Sequence, residues 1–175
     1  MTQNASQNSP AGTVLIDGET ATLLFERFLP HPIEAVWDAL TQPEQLATWF
    51  MTKATIDGRL GGQVSMVSGP AQFAWTGSIL AWEPPHVYAY EWNLDPRPEM
   101  PNGEASIVRW ELRATEGGTT LTLTHKRLTK GTALGFAPGT HAFLDRLAAQ
   151  LAGETLPNWM LRYDAVKDAY PAWSR

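Results

Sequence analysis

A strict alternation of apolar and charged residues between positions 108 and 113 is the feature that most constrains how this chain folds. The apolar positions are Val108, Trp110 and Leu112, and the charged positions between them are Arg109, Glu111 and Arg113. Because successive side chains of a strand point to opposite faces, this pattern predicts a strand with one dry face and one wet face. Strands of this kind belong to antiparallel sheets, and another element must cover the dry face.

Further runs with strand-type patterns flank this one and are separated by turns that contain glycine or proline. They are residues 13–16, 21–29, 63–68, 73–79, 87–92 and 121–125. Asp17-Gly18 is typical of a hairpin turn between the first two runs, and Gly117-Gly118 precedes the last one. We therefore expect an antiparallel sheet of about six or seven strands.

Apolar residues at three- and four-residue spacing predict helices on both sides of the β-rich region. A short helix is expected from Pro32 to Leu40, and Thr41 to Glu44 fits a capping box that begins a second one. Near the C-terminus, an apolar stripe that ends before Gly153 consists of Phe143, Leu144, Leu147, Ala148 and Leu151. These elements predict an α+β fold in which a curved antiparallel sheet wraps around a long C-terminal helix, with two short helices after the opening strands.

The chain is expected to form one domain with a short appendage at each end. Residues 1–12 are expected to be a disordered leader, and residues 13–153 to form the domain. Residues 154–175 are expected to be a helical extension, since apolar residues repeat at helical spacing from Pro157 to Tyr170. Trp159 and Tyr163 are too large to remain in water, so the extension is expected to pack on the domain or on the partner in a homodimer.

Charge and composition disfavour several classes of protein. Lys and Arg total 13 against 18 Asp and Glu, which gives a net charge of −5 and disfavours binding to nucleic acid or to an anionic membrane. The chain has no Cys, so disulfides, thiolate zinc sites and cysteine nucleophiles are excluded. No apolar run is long enough for a membrane span and no secretory signal is recognisable, so a cytoplasmic location is expected.

Motifs for catalysis, metal binding or phosphate binding are missing from the sequence. The spacing of its His residues fits no metal site; they are His31, His86, His125 and His141. The pairs Gly61-Gly62 and Gly117-Gly118 are interpreted as turns, and no Gly-x-Ser-x-Gly elbow occurs. The sequence therefore predicts no catalytic residue, no metal and no cofactor.

Large residues converge on the dry face of the predicted sheet, and the last helix faces them. The chain contains eight Trp, most of which must be buried in a core or a cavity. Strand parity and helix spacing together predict a set of ligand-binding residues: Met66, Phe73, Trp75, Tyr90, Trp92, Trp110, Leu123, His125 and Phe143. Such a set suits a small hydrophobic or aromatic molecule. The alternative is a packed core that leaves no room for a ligand.

His125 is the polar residue of most interest in this set. It shares the parity of Leu121 and Leu123 and is expected to face the interior. There it could orient a ligand, act as a general acid or base, or simply bond to neighbouring protein groups. Arg127, two residues later, is interpreted either as an exposed residue or as a partner for an acidic ligand group at the cavity mouth.

Residues Phe25 to Phe50 read FERFLPHPIEAVWDALTQPEQLATWF, a run that resembles the opening of the activator of heat shock protein 90 ATPase homologue-like (AHSA) family. This family belongs to the SRPBCC, or START/Bet v 1-like, superfamily. Similar segments follow in the family's order: Gly61-Gly62, Gly77 with Glu83-Pro84-Pro85, Tyr90–Trp92, Gly118–His125 and Phe143–Ala148. The resemblance covers nearly the whole chain, from Thr13 to Tyr170, and implies a helix-grip fold around a hydrophobic cavity.

The resemblance leaves three functional hypotheses. The first is a binding protein for a small hydrophobic or aromatic molecule. The second is an enzyme of the cyclase or aromatase type, which would use the same cavity. The third is a co-chaperone-like interaction module with a chaperone partner, although the family's co-chaperones carry an additional N-terminal domain. One departure concerns the cavity itself, because family members often have Gly-Trp at the start of the last helix where this chain has Gly139-Thr140.

Overall fold

The structure, a computed structural model, describes residues 9–69 and 72–172. Its strands are β1 Thr13–Asp17, β2 Thr20–Leu29, β3 Thr52–Ile56, β4 Gln63–Ser68, β5 Phe73–Glu83, β6 Val87–Leu94, β7 Glu104–Thr115 and β8 Gly118–Thr129. Its α-helices are α1 Ile33–Thr41, α2 Pro43–Trp49, α3 Lys130–Leu151 and α4 Trp159–Val166, and a 3-10 turn at Lys167–Ala169 follows α4.

The strands form one curved antiparallel sheet in the order β1-β2-β8-β7-β6-β5-β4-β3. β2 and β8 are adjacent, so the C-terminal strands close back on the opening hairpin. The helices α1 and α2 carry the chain from β2 to β3 at the far edge of the sheet, and α3 leaves β8 to cover the dry face. This arrangement confirms the predicted α+β helix-grip fold, with one strand more than the upper expectation because β3 was not predicted.

The alternation in β7 is confirmed. Val108, Trp110 and Leu112 are 5%, 6% and 4% exposed and belong to the hydrophobic core. Arg109 and Glu111 lie on the opposite face, where they form an ion pair at 3.1 Å. The period-two pattern therefore predicted both the strand and the face that it buries.

One irregularity in β8 resets the parity of that strand. β8 holds one residue more than β2 between the pairs Leu23–His125 and Ala21–Leu128. Arg127 absorbs the extra residue with a φ of +63°, in the left-handed region that L-residues rarely adopt. The Arg127 side chain is consequently exposed, and Leu128 returns to the interior with 0% exposure.

Gly77 is the glycine that the sheet most clearly requires. A Cβ atom at this position would lie 1.8 Å from the carbonyl oxygen of Glu91. Any side chain at position 77 would therefore prevent β5 and β6 from approaching each other as closely as they do.

The predicted capping box at the start of the second helix is wrong. Thr41 does not begin a capping box, because it is the last residue of α1 and its hydroxyl donates to the carbonyl oxygen of Trp37 at 2.8 Å. Gln42 instead precedes α2, with Pro43 in the first helical turn. The proline suits that position because its missing N–H would have no partner there.

The long helix α3 begins at Lys130, well before the predicted apolar stripe. Its first half contains Gly131, Gly135, Pro138 and Gly139, which all disfavour helix in isolation. Glu104 of β7 stabilises the helix start, since its carboxylate accepts hydrogen bonds from the Thr129 backbone N–H at 3.1 Å and from the hydroxyls of Thr129 and Thr132. Tertiary contacts therefore outweigh local propensity in this segment.

The C-terminal segment lies against α3 in the same chain. The Trp159 indole nitrogen donates to the Gly139 carbonyl oxygen at 3.1 Å, and the Tyr163 hydroxyl donates to that of Gly135 at 3.2 Å. Tyr170 lies beyond the end of α4, not within it, and its hydroxyl accepts from the Gly12 backbone N–H at 2.8 Å. Residues 1–8 of the predicted leader and Trp173 lie outside the described residues, and the division of the chain at residues 12 and 153 stays a prediction.

Within the two described ranges, no helix has both the length and the apolar character that crossing a membrane requires.

Candidate functional site

A cavity of about 630 Å³ lies between the dry face of the sheet and the helices. The sheet and α2 side contributes Trp49, Phe50, Ser68, Gly69, Phe73, Trp75, Tyr90, Trp92, Val108, Trp110, Leu123 and His125. The side formed by α3 and α4 contributes Gly135, Phe136, Gly139, Thr140, Phe143, Leu144, Trp159, Met160 and Tyr163. More than half of these residues are aromatic, and none of them carries a formal charge at neutral pH.

Aromatic rings from neighbouring strands support one another on the sheet side. The rings of Trp75 and Tyr90 are stacked with centroids 5.4 Å apart, and the Trp92 ring lies 5.6 Å from that of Trp75. Trp92 also contacts the rings of His125 and Phe136, at 5.5 Å each. These ring contacts join side chains of β5, β6, β8 and α3 into one continuous aromatic surface of the cavity.

The helices close the other side less completely. Phe136, Phe143, Trp159 and Tyr163 are only half-buried, and Met160 is 53% exposed. The Phe143 and Trp159 rings lie 5.4 Å apart and connect α3 to α4. The cavity therefore reaches solvent on the side of these two helices.

The structure brings eight of the nine predicted ligand-binding residues to this one cavity: Phe73, Trp75, Tyr90, Trp92, Trp110, Leu123, His125 and Phe143. Met66 is not among the lining residues. It is 2% exposed and lies within the core, and Ser68, two residues later on the same face of β4, lines the cavity instead. Arg127 is not on the cavity lining either.

Several lining residues were not predicted. Phe136 precedes Phe143 by two helical turns, but it lies between glycines and a proline that disfavour helix in isolation, and the predicted apolar stripe began only at Phe143. Trp159 and Tyr163 were recognised as a packing stripe without any signal that they line a cavity. Gly139 lies inside α3 and not at its start, where the family resemblance had led us to expect it, and the Trp159 indole lies against it.

His125 is held by a hydrogen-bonded pair at the floor of the cavity. Its Nε2 atom lies 2.8 Å from the Ser106 hydroxyl oxygen, and that hydroxyl lies 3.0 Å from the Trp92 carbonyl oxygen. Burial lowers the pKa of His125 to about 3, because the charged imidazolium would lose its hydration. The ring is therefore neutral at physiological pH.

Most other polar groups on the lining are already paired within the protein. The indole nitrogens of Trp49, Trp75 and Trp110 donate to the Ala39 carbonyl oxygen at 2.7 Å, the Ser68 hydroxyl at 3.3 Å and the Tyr90 hydroxyl at 3.4 Å. Burial raises the pKa of Tyr90 well above its ordinary value, so its hydroxyl keeps its proton. The cavity thus offers an apolar surface with few free polar atoms.

A charged cluster lies beside the cavity, where it attaches α4 to α3. The Asp145 carboxylate is 1% exposed and pairs with the Arg162 guanidinium at 2.6 Å and with His141 Nε2 at 3.5 Å. His141 Nδ1 is hydrogen-bonded to the Tyr170 hydroxyl at 2.8 Å. Burial is the main cause that lowers the pKa of His141 to about 4, with Asp145 opposing it.

A buried cation, Arg27 of β2, lies close to this cluster. It is 6% exposed, and its Nε and Nη2 atoms have no hydrogen-bond partner among the described residues. Burial lowers the pKa of Arg27, and the negative charge of Asp145 opposes that effect. None of these charged groups lines the cavity, and the described residues contain no group of three or more His, Asp or Glu that could hold a metal ion.

Comparison with solved structures finds proteins of the same fold. The chain resembles CalU16 from Micromonospora echinospora with a TM-score of 0.69 at 24% identity, covering 91% of this chain and 92% of that one, which supports the fold alone. It also resembles protein MLL2253 from Mesorhizobium loti, with a TM-score of 0.66 at 29% identity over 75% and 96% of the two chains. For the protein encoded by gene BPP1335 of Bordetella parapertussis the TM-score is 0.67 at 28% identity over 96% and 93%.

A search of curated proteins found no match. A family profile, described as Activator of Hsp90 ATPase homolog 1-like protein, matches residues 30–152. This match spans α1 through α3 and all the strands after β2, and it stops before α4. Because it covers well over half of the chain, we conclude that this protein belongs to the Activator of Hsp90 ATPase homolog 1-like family.

Proposed function

We propose that this protein binds a neutral, largely aromatic small molecule in the cavity between the sheet and α3. The observation that carries the proposal is the cavity lining. Aromatic side chains predominate among its residues, and none of those named above is charged at neutral pH. Its volume of about 630 Å³ falls within the range typical of small-molecule sites. A drug-sized apolar ligand buried there would be expected to bind with micromolar affinity, about −8 kcal/mol.

The state of His125 supports binding over acid–base catalysis. A cyclase or aromatase needs a group that accepts a proton from its substrate near neutral pH. A histidine whose pKa is about 3 is a weak base, and protonating it at pH 7 costs about 5 kcal/mol. The co-chaperone hypothesis draws on the family description alone, and a cytoplasmic location and a homodimer stay predictions.

The proposal is tested by titrating the protein with 1-aminoanthracene, a neutral aromatic probe whose emission increases in apolar surroundings. We expect saturable binding with energy transfer from the cavity tryptophans. Leu123, 4% exposed on the lining, is replaced by Trp to fill the space. In a second filling variant, Gly135→Leu, the new side chain starts where a Cβ atom would meet nothing within 4 Å.

A matched control, Leu24→Trp, adds the same side chain on the outer face of the sheet, where Leu24 is 38% exposed. Both filling variants should weaken probe binding at least ten-fold while their circular dichroism spectra remain native, and the control should bind like the wild type. Absence of saturable binding to the wild type, or equal binding by all four proteins, would refute the proposal.

A further inference from the structure

The hydrogen bonds around Ser106 fix which ring nitrogen of His125 carries the proton. The Ser106 hydroxyl has a single hydrogen, and its oxygen lies 3.0 Å from the Trp92 carbonyl oxygen, which can only accept. Ser106 therefore donates to Trp92 and accepts from His125 Nε2, 2.8 Å away. Since the ring is neutral, its Nδ1 atom has no proton and presents a lone pair.

The Nδ1 atom of His125 has no hydrogen-bond partner among the residues that the structure describes. No hydrogen bond joins it to any residue of the described ranges, and it is not among the fully enclosed side-chain atoms that lack a partner. Some of its surface is therefore open. The open space that the His125 side chain lines is the cavity, so the lone pair is available to a molecule bound there.

Trp92 provides a complementary group. Its ring centroid lies 5.5 Å from that of His125. Its indole N–H, unlike those of Trp49, Trp75, Trp110 and Trp159, donates to no described residue and is likewise not enclosed. Among the ring nitrogens that line the cavity, an acceptor on His125 and a donor on Trp92 thus remain unused.

We infer that the ligand carries a hydroxyl group that donates to His125 Nδ1 and accepts from the indole N–H of Trp92. A hydroxyl is the smallest neutral group that both donates and accepts. A carbonyl or ether oxygen would face the Nδ1 lone pair without a proton, and a carboxylate would find no cation among the described lining residues. The inference rests on the proposed function and narrows the ligand to a hydroxylated aromatic molecule.

The test compares three ligands of one size by their displacement of 1-aminoanthracene: 2-naphthol, 2-methoxynaphthalene and 2-methylnaphthalene. The first donates and accepts, the second only accepts, and the third does neither. The wild type should bind 2-naphthol roughly five-fold more tightly than 2-methylnaphthalene, with the methoxy compound weaker than 2-naphthol. Without a partner for its proton, the hydroxyl would instead be penalised on burial.

Two substitutions of His125 separate the acceptor from the ring. In His125→Phe the aromatic shape remains and the acceptor is lost, so the order should reverse and 2-methylnaphthalene should bind about ten-fold more tightly than 2-naphthol. In His125→Gln a neutral acceptor and a donor for Ser106 remain, so part of the preference for 2-naphthol should return. The ligand order in the wild type decides the question even if a variant does not fold.

The outcomes distinguish this inference from the function on which it rests. If the wild type binds 2-methylnaphthalene as tightly as 2-naphthol or more tightly, the hydroxyl inference is overturned while cavity binding stands. The hydroxyl inference is also overturned if His125→Phe binds the three naphthalenes in the same order as the wild type. If none of the three naphthalenes displaces the probe and the probe itself does not bind, both proposals fail.

Discussion

The indole nitrogen of Trp159 donates a hydrogen bond to the carbonyl oxygen of Gly139 at 3.1 Å. This contact attaches α4 to α3. Because Gly139 has no side chain, the indole lies directly on the backbone of α3. A Cβ atom at Gly139 would come within 3.0 Å of Trp159 Cζ2. The glycine therefore decides how closely α4 can cover the cavity.

Replacing Gly139 with Ala should displace the Trp159 ring by a few tenths of an ångström. The gain in helix propensity, about 1 kcal/mol, would then be offset by the lost contact, and binding of 1-aminoanthracene should weaken. Gly135→Ala is the matched control, because its Cβ atom meets nothing within 4 Å. Urea unfolding should show that Gly135→Ala stabilises the protein by about 0.5–1 kcal/mol and that Gly139→Ala does not. Equal stabilisation by the two variants would contradict this account of Gly139.

The sequence was most informative where a single period governs the structure. The alternation around Trp110 predicted the strand and its buried face, because parity in a strand leaves only two choices. The start of α3 could not be read in the same way. Its glycines and Pro138 disfavour helix locally, and the helix forms because Glu104, distant in sequence, binds its first turn.

The same limit explains what was missed at the cavity. Phe136 lies in the first half of α3, where glycines and Pro138 disfavour helix locally, so its position opposite Trp92 was not predicted. Trp159 lines the cavity because the chain reverses direction between α3 and α4. The spacing of apolar residues within a helix does not indicate the path of the loop that precedes it. The predicted strand residues of the cavity followed from parity and Phe143 from helical spacing, whereas Phe136 and Trp159 depended on tertiary contacts.

The depressed pKa values of the buried histidines should make the protein less stable in acid. In the unfolded chain a histidine binds its proton below about pH 6.5, whereas folded His125 does so only near pH 3 and folded His141 near pH 4. Between these values the unfolded state holds more protons. Stability is therefore fully present above pH 6.5 and falls as the pH decreases, by up to about 1.4 kcal/mol per pH unit for each histidine.

Replacing His125 with Phe should reduce this loss. The free energy of unfolding should decrease between pH 7 and pH 5 by about 2 kcal/mol less in the variant than in the wild type. Urea denaturation at several pH values measures the difference, and the interval from pH 8 to pH 9, where both histidines are neutral in the folded and the unfolded state, is the internal reference. Parallel curves for the two proteins down to pH 5 would show that His125 is not buried in its neutral form.

Ligand affinity should be independent of pH across the neutral range. His125 remains uncharged down to about pH 3, and Tyr90 keeps its proton because burial raises its pKa. The dissociation constant of 2-naphthol should therefore be constant from pH 5 to pH 8 when measured by probe displacement. A titration step within that interval would mean that a charged group takes part in binding.

The cluster around Asp145 should respond asymmetrically to substitution. Asp145→Asn removes the negative charge that pairs with Arg162 at 2.6 Å and that favours the charged form of the buried Arg27. A loss of about 3 kcal/mol in unfolding free energy is expected, as for other buried pairs that lose one partner. Arg27→Met instead removes a guanidinium whose Nε and Nη2 atoms have no hydrogen-bond partner among the described residues and whose Nη1 donates to the Glu26 carbonyl oxygen at 3.0 Å. It should be neutral or stabilise the protein by about 1 kcal/mol.

The double variant Arg27→Met/Asp145→Asn completes the comparison. If Asp145 compensates Arg27, the cost of Asp145→Asn should be smaller when Arg27 is absent, and urea unfolding of the four proteins gives this coupling energy directly. A coupling of about 1 kcal/mol or more is expected, because the two charges share a site with little access to water. Strictly additive effects would show that the Arg27 guanidinium is stabilised by something other than Asp145. A loss of several kcal/mol from Arg27→Met alone would contradict the expectation that this variant is neutral or stabilising.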